Sequence, residues 1–127
     1  MGRFLWICAA GAVGTGARYL LSSWLSRTAG ASFPWGTLAV NLLGSFLLGA
    51  VMEVGLATEL LSPTARLTLA TGLLGGFTTY SSFNYETLQL LQSESWLLAA
   101  ANVGVTVLSC LAAGILGIWA GRLLTGS

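Results

Sequence analysis

The chemistry open to this chain is that of neutral polar groups. Among 127 residues there are five Arg and four Glu, with no Lys, Asp or His. Without His or Asp, and with only two Cys, most metal sites and any Ser/His/Asp or Cys/His triad are excluded. A net charge of +1 offers no basic stripe to nucleic acid. What remains is a set of hydroxyls, amides, backbone groups and aromatic rings, set into strongly apolar strings.

The densest set lies in Gly72 to Phe83, which reads GLLGGFTTYSSF. Gly75, Gly76, Thr78, Thr79, Ser81 and Ser82 fall in the centre of an apolar stretch, and glycines and hydroxylic residues propagate a helix poorly. Two readings are open, a kink or a break. A break frees backbone carbonyls at mid-membrane depth, where they must find partners in protein, water or an ion. In transporters, broken helices place carbonyls around cations and half-helix N-termini near anions. Tyr80 and Phe83 are three apart and share one side of the resumed helix. Their electropositive edges can meet a small anion, although core packing is the ordinary role of such a pair. Glu86 follows one turn later and can bond a Thr, an Asn or a free N–H.

A second string, Phe33 to Gly49, reads FPWGTLAVNLLGSFLLG. Asn41 sits mid-span, where an amide either bridges helices or uses its two N–H donors to hold an anion without adding full charge. Thr37, Asn41, Gly44, Ser45 and Gly49 lie close to one helical face, which either packs tightly or lines a narrow polar path. Near the C-terminus Asn102, Thr106 and Cys110 repeat at i, i+4 beside Ser109, forming a polar track or back-bonding within the helix. Arg18, in GAVGTGARY from Gly11 to Tyr19, either snorkels to an interface or anchors a buried backbone turn.

The elements that position these groups must cross a bilayer. Charged residues make up 7% of the chain and hydrophobic ones 55%, with a mean hydropathy of +0.82. Nine charges cannot cover the surface of so small a domain, so it faces lipid. The predicted spans are approximately 4–24, 35–52, 67–91 and 96–119, in a single membrane domain over 1–127. Ser26 to Pro34 reads as the first loop. The second carries Glu53, Glu59 and Arg66, with Ser62 as an N-cap and Pro63 at the first helical position. Gln92 to Glu94 make the third turn. A signal peptide at the N-terminus is disfavoured because three more spans follow and Arg18 fits a cleavage region badly. Trp6, Trp24, Phe33, Trp35, Trp96 and Trp119 fall near span ends, as interface anchors do. GxxxG spacings at Gly72–Gly76 and Gly117–Gly121 predict close helix packing. Cys8 and Cys110 lie within spans and imply no disulfide.

Four spans put both ends on one side, with Arg3, Arg66 and Arg122, leaving Arg27 and the nearby Arg18 for the other. So small a bias sets little orientation preference, which allows insertion both ways and an antiparallel homodimer. A four-span chain also encloses little volume, so a transport path calls for a second subunit.

With GAVGTGARY, FPWGTLAVNLLGSFLLG and GLLGGFTTYSSFNYE in this layout, nearly the whole chain resembles the Fluc (CrcB) family of fluoride channels. The resemblance implies an all-α integral membrane protein of four transmembrane helices, the third broken, in an antiparallel, dual-topology homodimer with two fluoride pores. It implies a structural sodium ion at the dimer interface, bound by the backbone carbonyls of Gly75 and Thr78. Asn41 looks like the pore Asn, and Tyr80 and Phe83 occupy the two pore-aromatic positions. Thr37, Thr79, Ser81 and Ser82 resemble polar neighbours of the path, and Asn102, Thr106 and Cys110 a polar track on the fourth span. Arg18 resembles an Arg near the wide aqueous entrance, and Glu86 a polar partner near the path. The chain departs from the pattern at Tyr80, usually Phe, and at Cys110, often hydroxylic or small.

The implied activity is passive, fluoride-selective export across the bacterial inner membrane, limiting cytoplasmic fluoride. No Walker A loop is present, consistent with flow down the electrochemical gradient. The main alternative is a proton-coupled small multidrug exporter of the four-span, dual-topology kind. Such an exporter needs an acid in the first span, which here holds Arg18 and no Glu. A third class, a non-transporting helical assembly or chaperone subunit, is told apart by Asn41→Asp, which in a purely structural protein brings no specific loss of anion flux beyond misfolding.

Overall fold

The computed structural model describes residues 1–127 and is helical throughout, without a strand. Its elements are α1 (Gly2–Ala29), α2 (Trp35–Ala57), α3 (Pro63–Leu67), a π-helical stretch (Thr68–Leu74), α4 (Gly75–Phe77), α5 (Tyr80–Gln92) and α6 (Trp96–Thr125). Three of them, α1, α2 and α6, are long and apolar enough to cross a membrane. Even the 23 residues of α2 reach about 35 Å at 1.5 Å per residue, more than the roughly 30 Å hydrocarbon core. The fourth crossing is composite, running from α3 through the π-helical stretch and α4 to an interruption, then on as α5.

The start of that crossing follows the local signals. Pro63 takes the first helical position, and the Ser62 hydroxyl accepts the Ala65 N–H at 3.0 Å. Elsewhere helices outrun the hydropathy. Ser26 to Ala29, expected in a loop, complete α1, which stops at Gly30 with φ +91°, a conformation suited to glycine. Glu53, also expected in a loop, lies inside α2 and accepts a hydrogen bond from Arg122 Nε at 3.2 Å. Polar residues end an apolar pattern without ending helical hydrogen bonding, so hydropathy set those two limits too early.

Small residues let the long helices meet. A Cβ at Gly14 of α1 would overlap the Leu73 carbonyl oxygen, and one at Gly76 would stand 2.5 Å from the Gly11 carbonyl oxygen. A Cβ at Gly117 of α6 would likewise overlap the Phe46 carbonyl oxygen of α2. The two GxxxG spacings thus serve close packing, one between α1 and the composite crossing, the other between α6 and α2. Arg3 donates to Thr64 and Arg66 to the Gly55 carbonyl, each at 3.2 Å, and Arg122 pairs with Glu53. These contacts gather all three arginines at one end of the bundle.

The core of one chain is thin. Only 16 of 127 residues are buried, and large apolar side chains stand exposed along α1 and α6. A surface of that character belongs against lipid or another helical subunit.

Candidate functional site

The interruption expected from paired glycines and hydroxylic residues is a break. Thr78 (φ −86°, ψ 160°) and Thr79 (φ −153°, ψ 114°) are extended between two helical segments. In a continuing helix the Thr79 N–H would bond the Gly75 carbonyl. Here it donates to Asn41 Oδ1 at 2.8 Å, and Asn41 Nδ2 donates back to the Thr79 carbonyl at 3.0 Å. Gly75 therefore loses its usual helical donor, and the Thr78 carbonyl accepts no hydrogen bond within the chain. Arg18 Nε donates to the Gly76 carbonyl at 3.0 Å, satisfying another carbonyl that the break exposes. Of the two roles open to Arg18, anchoring a backbone turn is the one its contacts express.

Beyond the break, the Thr79 hydroxyl caps α5 by accepting the Ser82 N–H at 3.1 Å, and it donates to Ser82 Oγ at 3.1 Å. Capping starts α5 so that Tyr80 and Phe83 meet edge to face, with ring centroids 5.6 Å apart and planes at 63°. The two rings differ in setting. Phe83 is 7% exposed and Tyr80 77%, leaving the departing residue the more open of the pair.

An open groove of about 410 Å³ runs past this point. Asn41 and Ser45 of α2, Thr78 and Thr79 of the break, Tyr80 and Phe83 of α5, and Thr106 and Cys110 of α6 line it. Amide, hydroxyl, thiol, backbone and ring edges from four parts of the sequence meet there, with no charged side chain among the lining groups.

The remaining predicted residues stand around the groove rather than in its wall. Thr37 Oγ1 donates to Glu86 Oε1 at 2.5 Å, tying α2 to α5 through the Thr partner foreseen for Glu86. Asn102 is buried in α6, where Nδ2 donates to Thr87 Oγ1 at 2.8 Å and Oδ1 accepts from Thr106 Oγ1 at 3.3 Å. Ser81 is exposed, while Ser109 back-bonds to the Val105 carbonyl. The i, i+4 series on α6 therefore divides: Thr106 and Cys110 reach the groove, and Asn102 turns toward α5.

Two contributors were missing from the predicted site. Ser45 belongs to the polar face of α2 one turn after Asn41, and that i+4 relation is its signal in the sequence. Thr87, one turn after Phe83, carries no signal of its own in the sequence. Its partner Asn102 is fifteen residues on, across a turn, and spacing within one helix could not join them.

The chain matches the family described as CrcB-like protein, camphor resistance (CrcB), over residues 5–118. It is 57% identical over 127 residues to the fluoride-specific ion channel FluC of Sorangium cellulosum, covering 99% of this chain and 100% of that one. The FluC protein of Anaeromyxobacter dehalogenans is 52% identical over 126 residues, covering 99% and 100% respectively. That of Geobacter sulfurreducens is 50% identical over 121 residues, covering 95% and 94%. A family match across most of the chain, with relatives of this identity along its full length, shows the family, and the chain belongs to the CrcB family of multi-pass membrane proteins.

Proposed function

We propose that this chain is a fluoride-selective passive channel, working as an antiparallel, dual-topology homodimer in the bacterial inner membrane and letting fluoride leave the cytoplasm. The observation that carries the reading is the groove in which uncharged polar groups gather around the Asn41–Thr79 pair, beside the apolar Val107 and Leu111. It is supported by relatives named fluoride-specific ion channels.

Fluoride is small and strongly hydrated, so a path must replace its water with several donors and still release it. A fixed positive charge would hold it, whereas conduction needs sites that bind weakly enough to let go. Asn41 fits that need, because one Nδ2 hydrogen goes to Thr79 and the second remains. The Phe83 edge adds a weakly positive surface that disfavours cations. Ser82 keeps its own hydroxyl proton, because its oxygen accepts from Thr79, the exposed Ser81 hydroxyl lies next to it in the chain, and Thr106 and Cys110 continue the lining along α6. The Thr37–Glu86 bond holds α5 against α2 and occupies one oxygen of the carboxylate. Arg18, with its charge shared by the Gly76 carbonyl, belongs to the approach rather than the constriction.

The same reading includes a structural sodium ion at the dimer interface, held by the Gly75 and Thr78 carbonyls. Their chemistry fits: hard cations take oxygen ligands, and the break deprives both carbonyls of ordinary helical donors. Two oxygens from one chain are too few for such an ion, which argues for a second copy. When bound, the ion supplies positive charge between apposed carbonyls and so favours association. The exporter alternative lacks its proton carrier, since α1 contains no carboxylate.

Fluoride efflux from liposomes holding the purified protein, run against chloride, tests the proposal. Rapid fluoride release without chloride release is expected. Absence of both fluxes from a folded preparation overturns it.

A further inference from the structure

The helix that carries both rings is lightly embedded. Phe83 is the one buried residue of α5, while Tyr80, Tyr85 and Leu88 are exposed. Apolar burial alone is therefore a weak constraint on how α5 is rotated. Side-chain hydrogen bonds supply more. Asn41 holds the residue that caps α5, and Thr37 holds Glu86, but both reach out from α2. On the side of α6 the tie is Asn102 to Thr87.

That tie is directional. Thr87 has a single hydroxyl proton, which it donates to the Phe83 carbonyl at 2.8 Å. Toward Asn102 it can only accept, so the amide nitrogen faces it, at 2.8 Å. The amide oxygen then faces Thr106, whose hydroxyl donates to it. Asn102 is 1% exposed and does not line the groove. A polar side chain so deeply enclosed is costly to leave unpaired, which gives the arrangement its strength. The line of bonds runs Thr106, Asn102, Thr87 and then the backbone of Phe83 itself.

We propose that Asn102 is a positioning residue: acting through Thr87, it sets the rotation of α5 and the placing of the Phe83 ring, without touching the ion. This role replaces the one expected from its spacing with Thr106 and Cys110, and it rests on the fluoride-path reading of the groove.

The test compares fluoride efflux from liposomes holding the wild type, Thr87→Val, Thr87→Ser, Asn102→Ala and the double variant Asn102→Ala/Thr87→Val. Elution of each from size exclusion in detergent checks folding. Thr87→Val is expected to slow efflux about tenfold, as losing one buried partner would, and Asn102→Ala, which also frees the Thr106 hydroxyl, at least as much. The double variant should be no slower than the slower single one, because both remove the same tie. Thr87→Ser keeps the hydroxyl and should retain efflux within about twofold of wild type, since the bond is preserved. If Asn102→Ala does not fold, the contrast between Thr87→Val and Thr87→Ser still decides. Wild-type efflux from Thr87→Val, or losses that multiply in the double variant, overturns the positioning role while leaving the fluoride path intact. A wild type that passes no fluoride removes the path itself, and the positioning role with it.

Discussion

Asn41 pairs with both backbone polar groups of Thr79, its Oδ1 accepting the N–H at 2.8 Å and its Nδ2 donating to the carbonyl at 3.0 Å. A side-chain amide carries the same donor and acceptor as a peptide group, so α2 supplies the break with one residue of ladder-like pairing. Thr79 can then stay extended in the membrane without an unsatisfied polar group. Helix bridging and the break, which the sequence presents as separate features, are one device.

Replacing Asn41 with Asp tests that device. The carboxylate keeps an acceptor for the Thr79 N–H but turns an oxygen, with negative charge, toward the Thr79 carbonyl. Losing the donor alone should cost about 1–3 kcal/mol at the break, and the charge opposes an anion directly. Asn41→Asp is expected to lower fluoride efflux more than tenfold, while a dimer still elutes from size exclusion in detergent (the bound follows from about 1.4 kcal/mol per decade). Efflux at the wild-type rate would mean that Asn41 serves packing alone.

Much of the fold could be read from the sequence because lipid imposes simple rules. Ser62 and Pro63 marked a helix start, and Arg3, Arg66 and Arg122 shared an end because the number of crossings fixed it. The string from Gly72 to Phe83 announced an interruption through residue types that propagate a helix poorly. Its form was less accessible: nothing in the string TLATGLL marks Thr68–Leu74 as π-helical. Ser26 and Glu53 lie in helices rather than in the expected loops, because polarity reports depth whereas hydrogen bonding decides where a helix ends. Thr87 has no signal of its own, since its role depends on Asn102, on another helix.

Glycine substitutions separate contact from mere composition. At Gly14 a Cβ would overlap the Leu73 carbonyl oxygen, whereas at Gly16, two residues on, it meets nothing within 4 Å. Gly14→Ala must push α1 away from the composite crossing, at about 1–3 kcal/mol. Gly16→Ala should leave stability unchanged or slightly raised, since alanine favours helix by about 1 kcal/mol. Thermal unfolding in detergent should therefore show a lower midpoint for Gly14→Ala alone. Equal midpoints would remove close approach as the reason for Gly14.

The two rings should respond differently to change. Phe83 is buried and Tyr80 exposed, so Phe83→Ile removes a fixed edge from the groove wall, while Tyr80→Phe removes only a hydroxyl. Phe83→Ile is expected to reduce fluoride efflux about tenfold or more, as losing one specific contact of about 1.4 kcal/mol would. Tyr80→Phe should keep efflux at least at the wild-type rate and leave chloride excluded. A fall in efflux from Tyr80→Phe would show instead that the phenol donates to the ion, and undiminished efflux from Phe83→Ile would remove that ring from the path.

Sodium dependence is the prediction that links the break to assembly. An ion that binds only across two copies favours association by RT ln(1 + [Na⁺]/Kd), so the dimer should strengthen in proportion to log[Na⁺] once binding is appreciable. Replacing sodium with a bulky organic cation at constant ionic strength should shift the dilution midpoint for dissociation in detergent toward higher protein concentration, and returning sodium should reverse it. Thr78→Ala offers the companion measurement. It removes the hydroxyl that donates to the Leu74 carbonyl at 3.0 Å but leaves the backbone carbonyl in place, so sodium dependence should survive. A midpoint indifferent to sodium in the unmodified protein would exclude an ion as the link and leave packing of the exposed apolar faces to hold the copies together.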